Sequence, residues 1–360
     1  MLDETVPATA RPAHALRDTW KSLRESDPNL RARDLAERIG VSEGELVACR
    51  CGEGVKRLQG LWADLIRALP DVGRVMVLTR NDSCVHEKKG TFANVDIGGV
   101  MGVVLDEAID LRLFLTHWKH GFAVTETSHG RELHSLQIFD ADGQAVHKVY
   151  RTEDTDVAAW RQLIDSHTAA DQVSPLLPEP VADPLPHTRN DDQVDAVSLR
   201  KGWHAMRDPH DFFGLLRRHG VTRTQALRVA GGEFAMRVDA QAIGTVLESA
   251  AASGLPIMVF VGSPGVVQIH TGPVHNIKRM GPWLNVLDAD FNLHLREDHI
   301  AESWVVRKPT PEGHVTSLDL YDGKGRQILQ VFGKRKPGVP ELAAWRKLAD
   351  GLPQREARHA

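Results

Sequence analysis

Histidine is plentiful in this chain, at 18 residues, which supplies candidate ligands and decides nothing by itself. One of them stands where a metal could use it. The stretch Asp208-Pro-His-Asp-Phe-Phe-Gly-Leu-Leu-Arg-Arg-His-Gly220 reads as a single helix. Asp208 suits an N-cap, Pro209 the first helical position, and Gly220 the stop. Phe212, Leu215 and Leu216 form its apolar stripe. His210 then falls in the first turn, where the helix dipole disfavours imidazolium and leaves a ring nitrogen lone pair free. A capping or surface histidine is the alternative. Basic residues gather in the same half of the chain: Arg223, Arg307-Lys308 and Lys334-Arg335-Lys336. They suit either a clamp for carboxylates or phosphates, or solvated strand ends. Cys49, Cys51 and Cys84 lack partners at metal-site spacing and read as ordinary thiols of a reducing compartment.

The elements that must position these residues occur twice. Val75-Met-Val-Leu78 aligns with Ile257-Met-Val-Phe260, and the same register carries Gly90 onto Gly272, Asn94 onto Asn276, Leu105-Asp106 onto Leu287-Asp288, and His117 onto His299. Asp140-Ala-Asp-Gly143 meets Asp322-Gly-Lys-Gly325, and Trp160 answers Trp345 after a small slip. A register held through so many turns means an internal duplication. Each copy opens with a helical stretch, roughly 13–70 and 194–254. Alternating strands follow, the last two joined by the Asp/Gly hairpin turn, and a short tryptophan-bearing helix closes the copy. The predicted class is α+β, a helical segment plus a large antiparallel sheet in each of two similar halves with a ligand cleft. The predicted organisation is a first repeat over 1–165, a Pro-rich acidic linker over 166–194, and a second repeat over 195–360 that carries the main site.

Composition bounds the function. A formal charge of −4 gives no global basic field, so nucleic acid is not expected as a partner. The helix-turn-helix flavour of Arg33 to Glu45 is set against that balance. No apolar run approaches the ~20 residues that span a bilayer, and the N-terminus lacks the pattern of a signal peptide. A cytoplasmic protein without membrane insertion is expected.

A duplicated scaffold carries its chemistry where the copies diverge. Arg112 faces His294, His86 faces Gln268, Tyr150 faces Phe332 and Glu126 faces Lys308. None of these reads as an exchange of core residues.

At this point a resemblance is visible. Ala32-Arg-Asp-Leu-Ala, Thr79-Arg-Asn, Val85-His-Glu, Leu111-Arg-Leu-Phe-Leu, Trp203-His-Ala-Met, His210-Asp-Phe-Phe-Gly-Leu-Leu, Met258-Val-Phe-Val-Gly and Trp304-Val-Val-Arg-Lys-Pro-Thr310 follow one another along the chain. In that order they resemble the cytoplasmic haem-binding proteins of bacterial haem-uptake systems, the hemin-degrading factors of HemS/HmuS/ChuS/PhuS type. The resemblance implies haem as the cofactor, with His210 as axial iron ligand and Arg112 reaching the other haem face from the first half. It implies Arg223, Lys308 and Arg335 near the haem edge, and His86 as holder of a second haem. Phe260, with Phe212, Phe213 and Met258, supplies apolar surface. Phe332 departs from the tyrosine of several relatives and removes a hydroxyl from the distal side.

Two functions follow from the resemblance. One is a carrier that accepts haem at an inner-membrane transporter and passes it to a haem oxygenase, with His204, His219 or His294 as alternate ligands. The other is a haem-degrading enzyme fed by an external reductase, with Arg112 as distal donor.

Overall fold

The computed structural model describes residues 12–28, 30–128, 130–180, 190–336 and 338–355. Residues 181–189 of the predicted linker and the N-terminal residues 1–11 lie outside them. In chain order the first repeat holds α1 (Ala13–Ser26), α2 (Ala32–Ile39), α3 (Glu43–Ala48), β1 (Val55–Arg57), α4 (Trp62–Ala68), β2 (Gly73–Arg80), β3 (Cys84–Thr91), β4 (Val95–Gly98), β5 (Met101–Leu105), β6 (Asp110–Phe114), β7 (His120–Ser128), β8 (Arg131–Phe139), β9 (Ala145–Thr155) and α5 (Val157–His167). The second holds α6 (Ala196–His204), α7 (Asp211–His219), α8 (Arg223–Ala230), β10 (Ala235–Val238), α9 (Ala242–Ser253), β11 (Ile257–Gly262), β12 (Val266–Gly272), β13 (Ile277–Met280), β14 (Trp283–Leu287), β15 (Phe291–Arg296), β16 (Glu302–Thr310), β17 (Gly313–Tyr321), β18 (Gln327–Gly333) and α10 (Ala343–Asp350).

The α+β class and the duplication both stand. Gly40 and Gly254 end α2 and α9 in the left-handed region, at φ 75° and 66°, as their positions in the sequence require. The helical stretches are not continuous, however. β1 and β10 fall inside them and become the edge strands of the two sheets. Three- and four-residue segments carry too little alternation to be told from helix by pattern.

All strands join two nine-stranded antiparallel sheets, in the orders β1-β7-β8-β9-β2-β3-β15-β14-β13 and β10-β16-β17-β18-β11-β12-β6-β5-β4. Each repeat therefore keeps six strands in its own sheet and lends three to the other. The lent arm β4–β6 lies against β12, with Arg112 opposite Val267. The lent arm β13–β15 lies against β3, with His294 opposite Val85. The chain crosses between sheets after β3. There Asn94 takes a φ of 49° and its side-chain amide donates to the Leu105 carbonyl at 2.8 Å. Gly90 makes the crossing possible, since a Cβ there would lie 2.4 Å from that of Ala108.

The sheets pack face to face. One core joins Val259, Leu318 and Val331 of the second sheet to Leu284, Leu293 and Leu295 of the first. Another joins Val75, Val77 and Leu136 to Leu111, Leu113 and Val266. α1–α3 cover part of the outer face of the first sheet. α6–α8 cover part of the outer face of the second, over Trp304, Val306 and Tyr321. α3 is largely buried, so it offers no exposed recognition face for a nucleic-acid groove.

Candidate functional site

The outer face of the second sheet gathers most of the predicted site. Cα partners in an antiparallel pair point to one side, so the register can be followed across the strands. Arg112 pairs with Val267, which pairs with Gly262. Two residues along, Asp110, Ile269, Phe260, Gln330 and Asp319 form the next row. Met258, Phe332 and Ser317 form the row after it. Phe260 and Phe332 meet edge to face, with centroids 5.0 Å apart. The result is an aromatic floor, half open, with Arg112 from the first repeat on the same face as Phe260 from the second. Arg112 stands there only because its strand has been lent. Its guanidinium bonds the Asp110 carboxylate and the Leu111 carbonyl.

α7 packs on the same face, over β16 and β17. Phe212 and Leu215 bury against Trp203, Trp304 and Tyr321, which anchors the helix on the sheet. Two cations converge on Phe212: Lys308 Nζ lies 4.7 Å and Arg223 5.7 Å from its ring centre. Lys308 is buried, and its pKa is pushed down to about 8 by that burial and by Arg223, against the pull of Asp319. Among the described residues it has no carboxylate within 4.0 Å. A buried ammonium without an ion pair is costly and suits an anionic ligand arriving from outside. Asp319 Oδ1 and Ser317 Oγ are buried on the same floor without a hydrogen-bond partner. Asp319 Oδ2 accepts from Gln330 Nε2 at 2.8 Å and from the Tyr321 hydroxyl at 3.3 Å.

His210 differs in detail from the sequence expectation. α7 begins at Asp211, so His210 is its N-cap residue rather than part of its first turn. Asp208 and Pro209 form the turn before it, closed by Asp211 N–H to the Asp208 carbonyl at 3.0 Å. The Asp208 carboxylate accepts from the His210 backbone N–H at 2.8 Å and also bonds His210 Nδ1. A carboxylate only accepts, so Nδ1 carries the proton and the lone pair of the neutral ring sits on Nε2. The imidazole is 95% exposed, open to a ligand. The Asp208 carboxylate thus fixes the tautomer by accepting from Nδ1, and leaves Nε2 as the nitrogen that faces outward. Arg335 lies close enough to Asp208 to help hold that carboxyl below its usual range, after the hydrogen bonds from His210.

His86 is elsewhere. It is fully buried between the sheets, where Gln268 Nε2 donates to its Nδ1 at 2.9 Å. The Thr79 hydroxyl donates to Gln268 Oε1 at 2.8 Å, so His147 Nδ1, 2.9 Å away, donates to Thr79. Lys88 Nζ reaches His270 Nδ1 at 3.3 Å, and His270 stacks on Phe291 at 3.8 Å. Burial drives all three imidazoles well below their ordinary pKa, His147 and His270 to about 3. A haem at His86 would require the sheets to part. His294 also stands apart, on the outer face of the first sheet with Nδ1 2.7 Å from Asn285 Oδ1. His204 is exposed beside Glu233, and His219 lines a separate groove between α6 and α7.

Asp319 and Gln330 were not singled out from sequence. The repeat comparison held a signal for the first, since Asp319 faces Gln137 at the common offset and so gains a charge in the second copy.

A model of the haemin-degrading HemS.ChuX domain matches residues 40–167 and again 220–352. The chain belongs to this family. The double match is the duplication read from the sequence, and His210 falls in the segment between the two matches. Hemin transport protein HemS of Yersinia enterocolitica is 41% identical over 334 residues, covering 91% of this chain and 94% of that relative. The haem-bound crystal structure of PhuS, a heme-binding protein from Pseudomonas aeruginosa, superposes with a TM-score of 0.93 at 48% identity, over 96% of this chain and 100% of that one. ChuS, described as an E. coli heme oxygenase, superposes at 0.85 with 40% identity, over 94% of this chain and 99% of that one. Among the described residues no helix is long and apolar enough to cross a membrane.

Proposed function

We propose that this protein is a cytoplasmic haem carrier of iron acquisition, which holds haem in the cleft between α7 and the second sheet and delivers it to a haem-degrading enzyme. The observation that carries this reading is an aromatic floor and a buried unpaired ammonium on one sheet face, with an imidazole whose Nε2 is free at the N-terminal end of the helix packed over that face. Haem needs a flat apolar surface, cations for its two propionates and a neutral imidazole for iron. Phe260, Phe332 and Met258 offer the first. Lys308, Arg223 and Arg335 offer the second, and His210 the third. Similarity to a heme-binding PhuS and to a hemin transport protein supports haem as the cargo.

A carrier must also release its load. His210 lies on an exposed turn, and Arg112 is already occupied by Asp110, so neither grips from a closed pocket. The partners of this reading are an inner-membrane transporter upstream and a haem oxygenase downstream.

The second reading is a haem-degrading enzyme with an external reductant. Similarity to ChuS, and Arg112 on the same sheet face as Phe260, support it. There the guanidinium would donate to groups bound opposite His210. Phe332, which offers no hydroxyl, weighs toward the carrier. One experiment tests both readings. Hemin is added to the protein, and ascorbate or a reductase is supplied in air with catalase present. Haem that persists and moves to an added haem oxygenase supports the carrier. Prompt Soret loss with a linear tetrapyrrole overturns it in favour of the enzyme. A Soret band identical in wild type and His210→Ala removes His210 from the site altogether.

A further inference from the structure

The turn before α7 is built around one carboxylate. Asp211 Oδ2 accepts from the backbone N–H groups of Arg207 and Asp208, both at 3.1 Å. Pro209 stiffens the next step. Asp208 is thereby held with a single oxygen, Oδ1, between the backbone N–H and the ring Nδ1–H of His210. That oxygen does more than cap a helix. It selects the tautomer, aims Nε2 outward, and places a negative charge on the far side of the ring from any bound metal.

We infer that Asp208 is a positioning residue that sets the donor strength of His210 toward haem iron, an inference that rests on the assignment of His210 as ligand. A carboxylate that accepts the distal ring proton makes the imidazole more basic at its free nitrogen, as in carboxylate–histidine–metal triads. A stronger donor stabilises ferric over ferrous iron. Asp208 therefore biases the protein toward holding its cargo oxidised, which fits a carrier that passes haem on unreduced. The arrangement is local to residues 207–211, so it does not depend on the cleft closing.

The test compares Asp208→Asn, Asp208→Glu, Asp211→Asn and His210→Ala, each loaded with hemin. Asparagine keeps an oxygen for the backbone cap but removes the charge. Three signals are read: ferric haem affinity, the reduction potential by spectroelectrochemistry, and the iron–histidine stretching frequency of the ferrous form. Asp208→Asn is expected to weaken ferric affinity by about 10–100-fold, to move the potential positive and to lower the stretching frequency. Asp208→Glu should recover part of each shift. Asp211→Asn loosens the turn but leaves the ring's partner in place, so it should move the potential little. If Asp208→Asn matches wild type in potential and frequency while His210→Ala loses the wild-type Soret band, the role of Asp208 is overturned and the ligand assignment survives. If Asp211→Asn shifts the potential as far as Asp208→Asn does, turn geometry rather than the carboxylate is responsible, and the inference falls. An unchanged Soret band in His210→Ala sinks both.

Discussion

The three imidazoles buried between the sheets are expected to make this protein acid-labile. His147 and His270 are held at about 3, and His86 well below the ordinary value of 6.5, in each case chiefly by burial. The folded state binds protons at these sites less readily than the unfolded chain does. Their stabilisation is therefore full above the unfolded value of 6.5 and is lost as pH falls from there toward 3. Well below pH 6.5 each site costs about 1.4 kcal/mol per pH unit, so the three together give a slope of about 4 kcal/mol per unit. At about pH 5 the accumulated loss is about 2 kcal/mol per site and about 6 kcal/mol in all, comparable with the whole stability of an ordinary domain.

The perturbation is His147→Leu. The ring of His147 lines a small void with Leu65, Ile66, Leu111, Leu113 and Trp118, so a leucine meets apolar neighbours. The Thr79 hydroxyl keeps its bond to Gln268. Near neutral pH the variant should lie within about 1.5 kcal/mol of wild type, the net worth of one hydrogen bond. As pH falls its slope should drop from about 4 to about 3 kcal/mol per unit, which leaves it about 2 kcal/mol more acid-resistant than wild type at about pH 5, relative to neutral pH. Urea unfolding followed by tryptophan fluorescence at steps from about pH 8 to about pH 5 measures this. Parallel wild-type and variant slopes would mean that His147 takes no part in acid unfolding, and a wild-type stability flat over that range would mean that none of the three imidazoles does.

Glu43 of α3 sits buried between Lys148, whose Nζ is 2.5 Å from Oε1, and Arg80. These two cations hold its carboxyl at about 2 despite burial. Glu43→Gln leaves two cations facing each other and should cost about 3–5 kcal/mol in urea unfolding at neutral pH; a loss too small to measure would mean that the triad does not form. Arg112→Ala should change the ferric absorption spectrum of the hemin-loaded protein while weakening affinity by less than about tenfold, since a half-exposed guanidinium already paired with Asp110 has little binding energy to give. An unaltered spectrum would place Arg112 outside the pocket.

Much of the scaffold around the candidate site is legible in the sequence because the signals are local. The strands β11 to β18 fall close to the predicted alternating runs, and the Asp/Gly turns close β8–β9 and β17–β18 as expected. His210 stands out as a candidate from its place ahead of an amphipathic helix. The errors there are also local: the helix starts at Asp211, and Asp208 serves the ring as well as the backbone. A cap expected two residues early differs from the real one only in which N–H groups it satisfies, and pattern alone does not resolve that.

By itself the sequence determined the duplication, the α+β class, the hairpins and the residue types a haem site requires, since periodicity, turn chemistry and caps act over a few neighbours. Tertiary structure alone decided which residues share a face. Backbone ladders pair N–H with C=O whatever the side chains, so β6 satisfies the same alternation beside β3 or beside β12. In the folded chain it lies beside β12, which brings Arg112 to the cleft of the other repeat. β15 takes the vacated place beside β3 and closes His86 inside. Exchange of equivalent strands between two copies of one scaffold leaves every local signal unchanged, and only the long-range packing of the two sheets distinguishes the outcomes.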